Sequence, residues 1–412
     1  MQTWRIKASL FLNYFVFAIL LNSVGTVISL VQQSFSVSKT QASVLEPCKD
    51  LSIAVVSFLV TSFITRLGYK NAMLIALGFI SLICFAIPFT DSFFAVQLLF
   101  VAVGSSFALI KMSVYSSIGL VTRDAHGHAS MMNFVESFFG VGIVSSYFIF
   151  SWFVDNSNPA SSSWLHVYFL LGGIALLAFL LLLGAPLDES AARRETPTSA
   201  WKDVVSMFSL FGIRLVLVFI VCAFFYVLIE QSIMSWLPTF NKDVLKLDAV
   251  LSIQMASILS AAIALGRFLA GILLKRMSWL WLLLGCLVLA AVIVLTSMPV
   301  IGRFVAQYKG NGISTLREVP MVAFVFPLIG LLLGPIYPAI NSVILSSLPK
   351  TEHGFMAGLI IIFSALGGSL GSVITGAIFQ HFSGQHAMYF SLIPISILAT
   401  SLILFRRLQT RR

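Results

Sequence analysis

The sequence predicts an all-α polytopic membrane protein: twelve transmembrane helices arranged as two six-helix pseudo-repeats. Three observations lead there. Of 412 residues, 59% are hydrophobic and only 10% are charged, where a soluble domain carries about 25% charged residues. Mean hydropathy is +1.01. The apolar residues are gathered into runs long enough to cross a bilayer, and the order of signals in the first half recurs in the second.

A helix needs about 20 mainly apolar residues to cross the ~30 Å hydrocarbon core. By that measure the spans are 8–31, 40–65, 71–90, 94–121, 129–154 and 164–186, then 215–238, 249–274, 278–298, 319–348, 355–380 and 387–405. Short polar stretches such as Asp155-Asn-Ser-Asn-Pro and Ser383-Gly-Gln-His separate them. The longest break in apolarity holds Asp188, Glu189, Arg193, Arg194, Glu195 and Pro197. The expected organisation is a six-helix bundle at 1–186, a cytoplasmic linker at 187–202 and a second six-helix bundle at 203–412.

The net charge of +10 would suggest nucleic acid in a soluble chain. Its distribution gives another reason. With the N-terminus inside, Arg5, Lys7, Arg66, Lys70, Arg123, Arg193, Arg194, Lys202, Arg214, Lys275, Arg276, Lys350 and the C-terminal arginines fall on the inner side. Only Lys39, Lys242, Lys246, Arg303, Lys309 and Arg317 fall outside. This is the positive-inside pattern, so both termini are expected in the cytoplasm and no nucleic-acid partner is needed. A bacterial inner membrane is the expected location, with the lipid bilayer and a small-molecule substrate as partners and a monomer as the working unit.

The repeat shows in paired signals. His128-Ala-Ser-Met131 opens span 5 and His353-Gly-Phe-Met356 opens span 11. Ser113-Val precedes Ser116-Ser117 in span 4, and Ser342-Val precedes Ser346-Ser347 in span 10. Parallel repeats of this kind build one common transporter architecture, with the substrate held at the midplane. Gly330-x-x-x-Gly334, Gly367-Gly368-x-x-Gly371, Gly140 and Gly142 are expected to let helices approach closely.

Seven charged residues fall inside spans: Glu46, Lys49, Asp50, Lys111, Glu136, Glu230 and Arg267. A charge at the helix centre costs about 2.5–3.5 kcal/mol on insertion scales, so such residues pair, line a wet cavity or carry function. Glu46, Lys49 and Asp50 are spaced i, i+3, i+4 and share one face of span 2, with Pro47 loosening the helix between them. They are read as a proton-titrating or solute-binding cluster, or as a boundary salt bridge. Lys111 lies near the centre of span 4 and is read as an exchangeable partner of a carboxylate, able to meet a substrate anion instead. Glu136, with Asn133, lies in span 5. Glu230 lies deep in span 7 between Tyr226 and Trp236. Both acids are expected at a central cavity, to which Asn341 and Tyr337 of span 10 add neutral polar groups. Arg267 is expected to be structural, holding inner helix ends at a gate, and Arg66 at the end of span 2 is placed with it.

The chain resembles the major facilitator superfamily, and within it the fucose:proton symporter family. The resemblance rests on Val31-Gln-Gln-x-Phe, Gln41-Ala through Gly68-Tyr-Lys70, Ser137-Phe-Phe-Gly140, Gly266-Arg267-Phe268 and Tyr337-Pro338 followed by Gly354. It implies secondary transport by alternating access, commonly proton-coupled. Where fucose-type symporters carry functional acids in spans 1 and 4, this chain has Gly25 and Leu109, which do not titrate.

The expected function is therefore movement of a small polar, carboxylate-bearing solute, with the proton as coupling ion and sodium as the alternative. Two further readings stand beside it: a proton-driven exporter of a drug, metabolite or polycarboxylate siderophore, and a sugar:proton symporter. No enzyme chemistry is expected. Cys48, Cys84, Cys222 and Cys286 have no metal-ligand spacing, and no phosphate-binding loop or H-E-x-x-H occurs. Neither a metal nor an organic cofactor is expected.

Overall fold

A computed structural model of the chain is helical throughout its spans. It describes residues 3–61, 64–121, 125–158, 160–185, 187, 189, 209–274, 276–308, 310, 312–348 and 353–410. Apolar runs become helices here because lipid offers backbone groups no hydrogen bonds, so each segment must satisfy its own.

Span 1 is two helices, Thr3–Asn22 and Val24–Ser34, separated at Ser23. The Ser23 hydroxyl donates to the Leu20 carbonyl at 2.9 Å, which stabilises the break. A short helix, Lys39–Ala42, begins with Ser38 and Gln41 capping each other's backbone. Span 2 is Leu45–Thr61, followed by Ile64–Leu67. Spans 3 to 6 are Tyr69–Ala86, Phe93–Val121, Ala125–Ser151 and Val167–Leu183. Spans 7 to 9 are Arg214–Asp243, Ala249–Leu273 and Trp279–Gln307. Span 10 is interrupted, as Val322–Val325, a turn at Phe326–Leu328, Ile329–Leu333 and Ile336–Ser346; Pro327 and Pro335 accompany the breaks. Span 11 is His353–His381, and span 12 is Gly384–Phe390 with Leu392–Gln409.

Among the described residues, ten segments are long and apolar enough to cross a membrane. The other two expected spans are also helical: span 2 carries Glu46, Lys49 and Asp50 within 17 residues, and span 5 includes the apolar stretch Phe138–Ser151 among its described residues.

Packing divides the chain into two units. Unit 1 is Met1–Val24, Cys48–Asp155 and Ala160–Lys202; unit 2 is Gly25–Pro47, Asn156–Pro159 and Asp203–Arg412. The expected linker, 187–202, lies outside the described residues except for Leu187 and Glu189.

In unit 1 the helix Thr3–Asn22 packs on spans 4, 5 and 6, and span 3 packs on spans 4 and 6. Gly142 of span 5 lies against the Phe15 carbonyl and Ala18, leaving no room for a Cβ, whereas Gly140 faces open space. Gly140 therefore does not serve the close approach expected of it. At the start of span 3, Glu189 accepts from the backbone N–H groups of Tyr69 (2.9 Å) and Lys70 (2.6 Å). The Lys70 ammonium donates to the Leu183 and Ala185 carbonyls at the end of span 6.

Span 7 is the centre of unit 2, packing on spans 8, 10, 11 and 12. Its contact with span 11 is backbone to backbone: Gly367 meets the Phe224 carbonyl and Gly371 meets the Leu228 carbonyl. Gly330 and Gly334 of span 10 meet the Leu259 and Ile263 carbonyls of span 8 in the same way. The expected glycine motifs are thus contact surfaces. The segment 25–47 packs in this unit as well. Gly25 lies on the Ser235 backbone, Ser43 lies beside Gly376, and Lys39 pairs with Asp243 while its ammonium sits over the Phe379 ring.

Candidate functional site

Glu46 is fully buried, and in unit 2 its Oε1 accepts from the Ser235 hydroxyl at 3.1 Å. Lys49 and Asp50, also buried, pair with each other in unit 1 at 3.3 Å. The i, i+3, i+4 spacing puts all three on one helix face. The backbone beneath Lys49 is held tightly, since Gly104 of span 4 packs on the Lys49 carbonyl.

Lys111 is half-buried in span 4, two residues after Leu109. Its ammonium lies 5.8 Å from the centroid of Phe107, one turn earlier, a cation–π arrangement that partly offsets the loss of water around the charge. Phe107 belongs to an aromatic cluster. Tyr14 (6.3 Å), Phe17 (6.0 Å) and Phe139 (5.9 Å) surround its ring, and Tyr115 lies 6.1 Å beyond Tyr14. Sequence reasoning missed these rings. With 37 phenylalanines in the chain, nothing in their spacing distinguishes the ones around a charge. The side chains of Asn133, Glu136 and Arg66 lie outside the described residues.

Unit 2 holds a second polar group. The Tyr226 hydroxyl donates to Glu230 Oε1 at 2.7 Å, one helical turn away. Arg267 of span 8 brings Nη2 to the same oxygen at 3.4 Å. Tyr337 of span 10 stacks on Tyr226, with centroids 5.5 Å apart and planes at 21°. The Tyr337 hydroxyl shares a 3.0 Å hydrogen bond with Ser364 of span 11, and Asn341, one turn on, also approaches that hydroxyl. Three spans thus converge on Glu230. Arg267, expected to be structural and to hold helix ends at a gate, contacts this carboxylate, and its side chain is 47% exposed.

Trp236 is in a different situation. It is fully buried, its indole N–H donates to the Ser372 carbonyl at 3.0 Å, and it stacks on Phe379 at 5.2 Å. Both its face and its donor are used in packing. No group of His, Cys, Asp and Glu suited to a metal occurs among the described residues.

A chain of membrane-crossing helices of this kind is an integral membrane protein. The Major Facilitator Superfamily profile matches residues 10–308, and the chain belongs to that family. It is a transporter, as the members of that family are. The fold is similar to that of a nucleoside transporter, NupG, in its D323A form, at 13% identity and a TM-score of 0.76, covering 98% of this chain and 100% of that one. A bacterial homolog of the human lysosomal transporter Spinster matches at 14% identity and 0.77, covering 100% and 98%. FucP, a major facilitator transporter solved in an outward conformation, matches at 15% and 0.63, covering 98% and 99%. At these identities the likeness speaks for the fold. No curated protein matches the sequence.

Proposed function

We propose that this transporter moves a small carboxylate-bearing anion across a bacterial inner membrane by alternating access, coupled to protons, with both termini in the cytoplasm. The observation that carries the reading is Lys111, a half-buried ammonium in the apolar span 4 beside a cluster of aromatic rings. A cation there favours an anionic solute, and ring faces favour flat or partly apolar bodies. A neutral sugar needs hydrogen-bonding groups but has no use for that charge. Proton coupling is supported by carboxylates within spans that are paired with cations, the buried Asp50 with Lys49 and the half-buried Glu230 with Arg267. Such acids bind a proton or a cation in exchange.

The test is flux in proteoliposomes, using labelled succinate, benzoate, glucuronate, xylose and uridine as probes, with and without an inward pH gradient. Uptake of an acid that rises with the gradient and falls tenfold or more in Lys111→Gln is expected. Transport of xylose or uridine alone would replace the anionic reading, and indifference to the gradient would remove the proton.

A further inference from the structure

We infer that the end of unit 2 where span 12 terminates holds an anionic phospholipid, its phosphate bound by Arg406 and Arg407 beside the indole of Trp279. Such a site depends on neither the identity of the solute nor the side of the membrane that this end faces.

The residues come together because span 12 packs on spans 7 and 9. Span 9 begins at Trp279 and span 12 ends at Gln409. Phe405 joins the three helices: its buried ring lies 5.8 Å from Trp279 of span 9 and 6.1 Å from Phe219 of span 7. The start of one helix therefore meets the end of the other. Arg406, the next residue, carries its guanidinium over the Trp279 ring, 6.0 Å from the centroid, a cation–π arrangement.

Two features separate this cluster from basic residues that only record membrane orientation. First, its cations are not neutralised. Arg406 donates from Nη1 to Gln409 at 3.0 Å, and among the described residues no carboxylate pairs with Arg406, Arg407 or the exposed Arg276, three positions before Trp279. The sequence supplies no candidate on these helices, since no Asp or Glu occurs from 249 to 317 or after Glu352. Second, Trp279 Nε1 is enclosed with no acceptor. Native proteins rarely leave a buried donor unpaired, because the loss of water is then uncompensated. A phosphate oxygen is the acceptor that both this N–H and the guanidinium beside it lack, and charge-assisted bonds of that kind are strong.

The surface one turn deeper points to a lipid rather than a free ion. Ile403 lies four residues before Arg407 and Leu404 three, so both share a helix face with it. All three side chains are exposed. A guanidinium above exposed aliphatic side chains matches a headgroup phosphate above an acyl chain, and basic clusters at helix ends attract anionic headgroups. On span 9 the exposed Trp281 adds a ring of the kind that anchors helices at the membrane surface.

The test is native mass spectrometry of the full chain in detergent, with phosphatidylglycerol and phosphatidylethanolamine of identical acyl chains added at equal concentration. The wild type is expected to retain phosphatidylglycerol in preference. Each arginine near a membrane surface is worth about fivefold in anionic-lipid binding. Arg407→Gln, at an exposed position that does not endanger folding, is expected to lower the preference by about that factor, and Arg406→Ala with Arg407→Ala to lower it further. Trp279→Phe keeps the ring, removes the donor and is expected to weaken binding. Arg303→Ala with Arg317→Ala removes two exposed cations elsewhere in unit 2 and is expected to leave the preference unchanged. Inorganic phosphate is expected not to displace the lipid. Equal retention of the two lipids by the wild type, an unchanged preference in Arg407→Gln and the double variant, or an equal fall in the Arg303 and Arg317 control would overturn the inference. Displacement by inorganic phosphate would overturn it as well, by assigning the site to a free anion.

Discussion

The Ser235 hydroxyl donates to Glu46 Oε1 at 3.1 Å, between two residues that are almost wholly shielded from solvent. A hydrogen bond to a charged group contributes about 1.5–3 kcal/mol. Ser235→Ala is therefore expected to lower the apparent Tm of the purified protein, and Glu46→Gln on the Ser235→Ala background to recover part of the loss, because an uncharged amide is cheaper to bury. Equal Tm values for the wild type and Ser235→Ala would show that the bond carries no stability.

Lys39 and Asp243 form a pair whose side chains are 26% and 35% exposed. At that exposure an ion pair contributes about 0–1 kcal/mol and weakens with salt. The Phe379 ring under the ammonium adds to it. A double-mutant cycle with Lys39→Ala and Asp243→Ala is expected to give a favourable coupling energy of that size, smaller in 1 M salt. A coupling that does not change with salt would assign the contact to packing.

Glu189 closes the N-terminus of span 3 through the Tyr69 and Lys70 amides. A carboxylate there satisfies two free donors and meets the positive end of the helix, together worth about 1–2 kcal/mol. Hydrogen exchange at Tyr69 and Lys70 is expected to accelerate in Glu189→Ala, with little change in Glu189→Asp. Identical exchange in the alanine variant would rule out the cap.

Span 5 contains its own control for close packing. Gly142 has no room for a Cβ and Gly140 has nothing within 4 Å. Gly142→Ala is expected to cut the yield of folded protein and lower Tm, at a cost of about 1–3 kcal/mol from overpacking. Gly140→Ala is expected to be neutral or to stabilise by about 0.5–1 kcal/mol through helix propensity. Size-exclusion profiles and Tm of the two variants give the comparison directly.

The number and order of the spans are legible in the chain because membrane insertion demands long apolar runs, and their ends follow from polar turns. The breaks within spans 1 and 10 are less legible. Ser23 ends one helix by bonding back to Leu20, a choice any serine in a helix could decline. At the candidate site, the sequence identifies the residues that water would normally keep, Lys111 and Glu230 among them. It does not identify their partners, since pairing depends on helix rotation and depth. Arg267 and Glu230 are 37 positions apart and meet because span 8 packs on span 7. Glu46 and Asp50 lie one turn apart on the same helix, yet one meets Ser235 and the other Lys49.

The glycines that seat span 11 on span 7 and span 10 on span 8 also bear on the genetics of the chain. Every substitution of Gly330, Gly334, Gly367 or Gly371 adds at least a Cβ, and each would meet a backbone carbonyl. A carbonyl, unlike the tip of a side chain, has no rotamer through which to retreat. The genetic code offers no milder exchange, because any missense change at a glycine codon brings in a side chain. In a random mutant library selected for loss of transport, these four codons are expected to be struck repeatedly, by chemically unrelated replacements. Codons for ion-pairing residues would instead tolerate the exchanges that keep the charge.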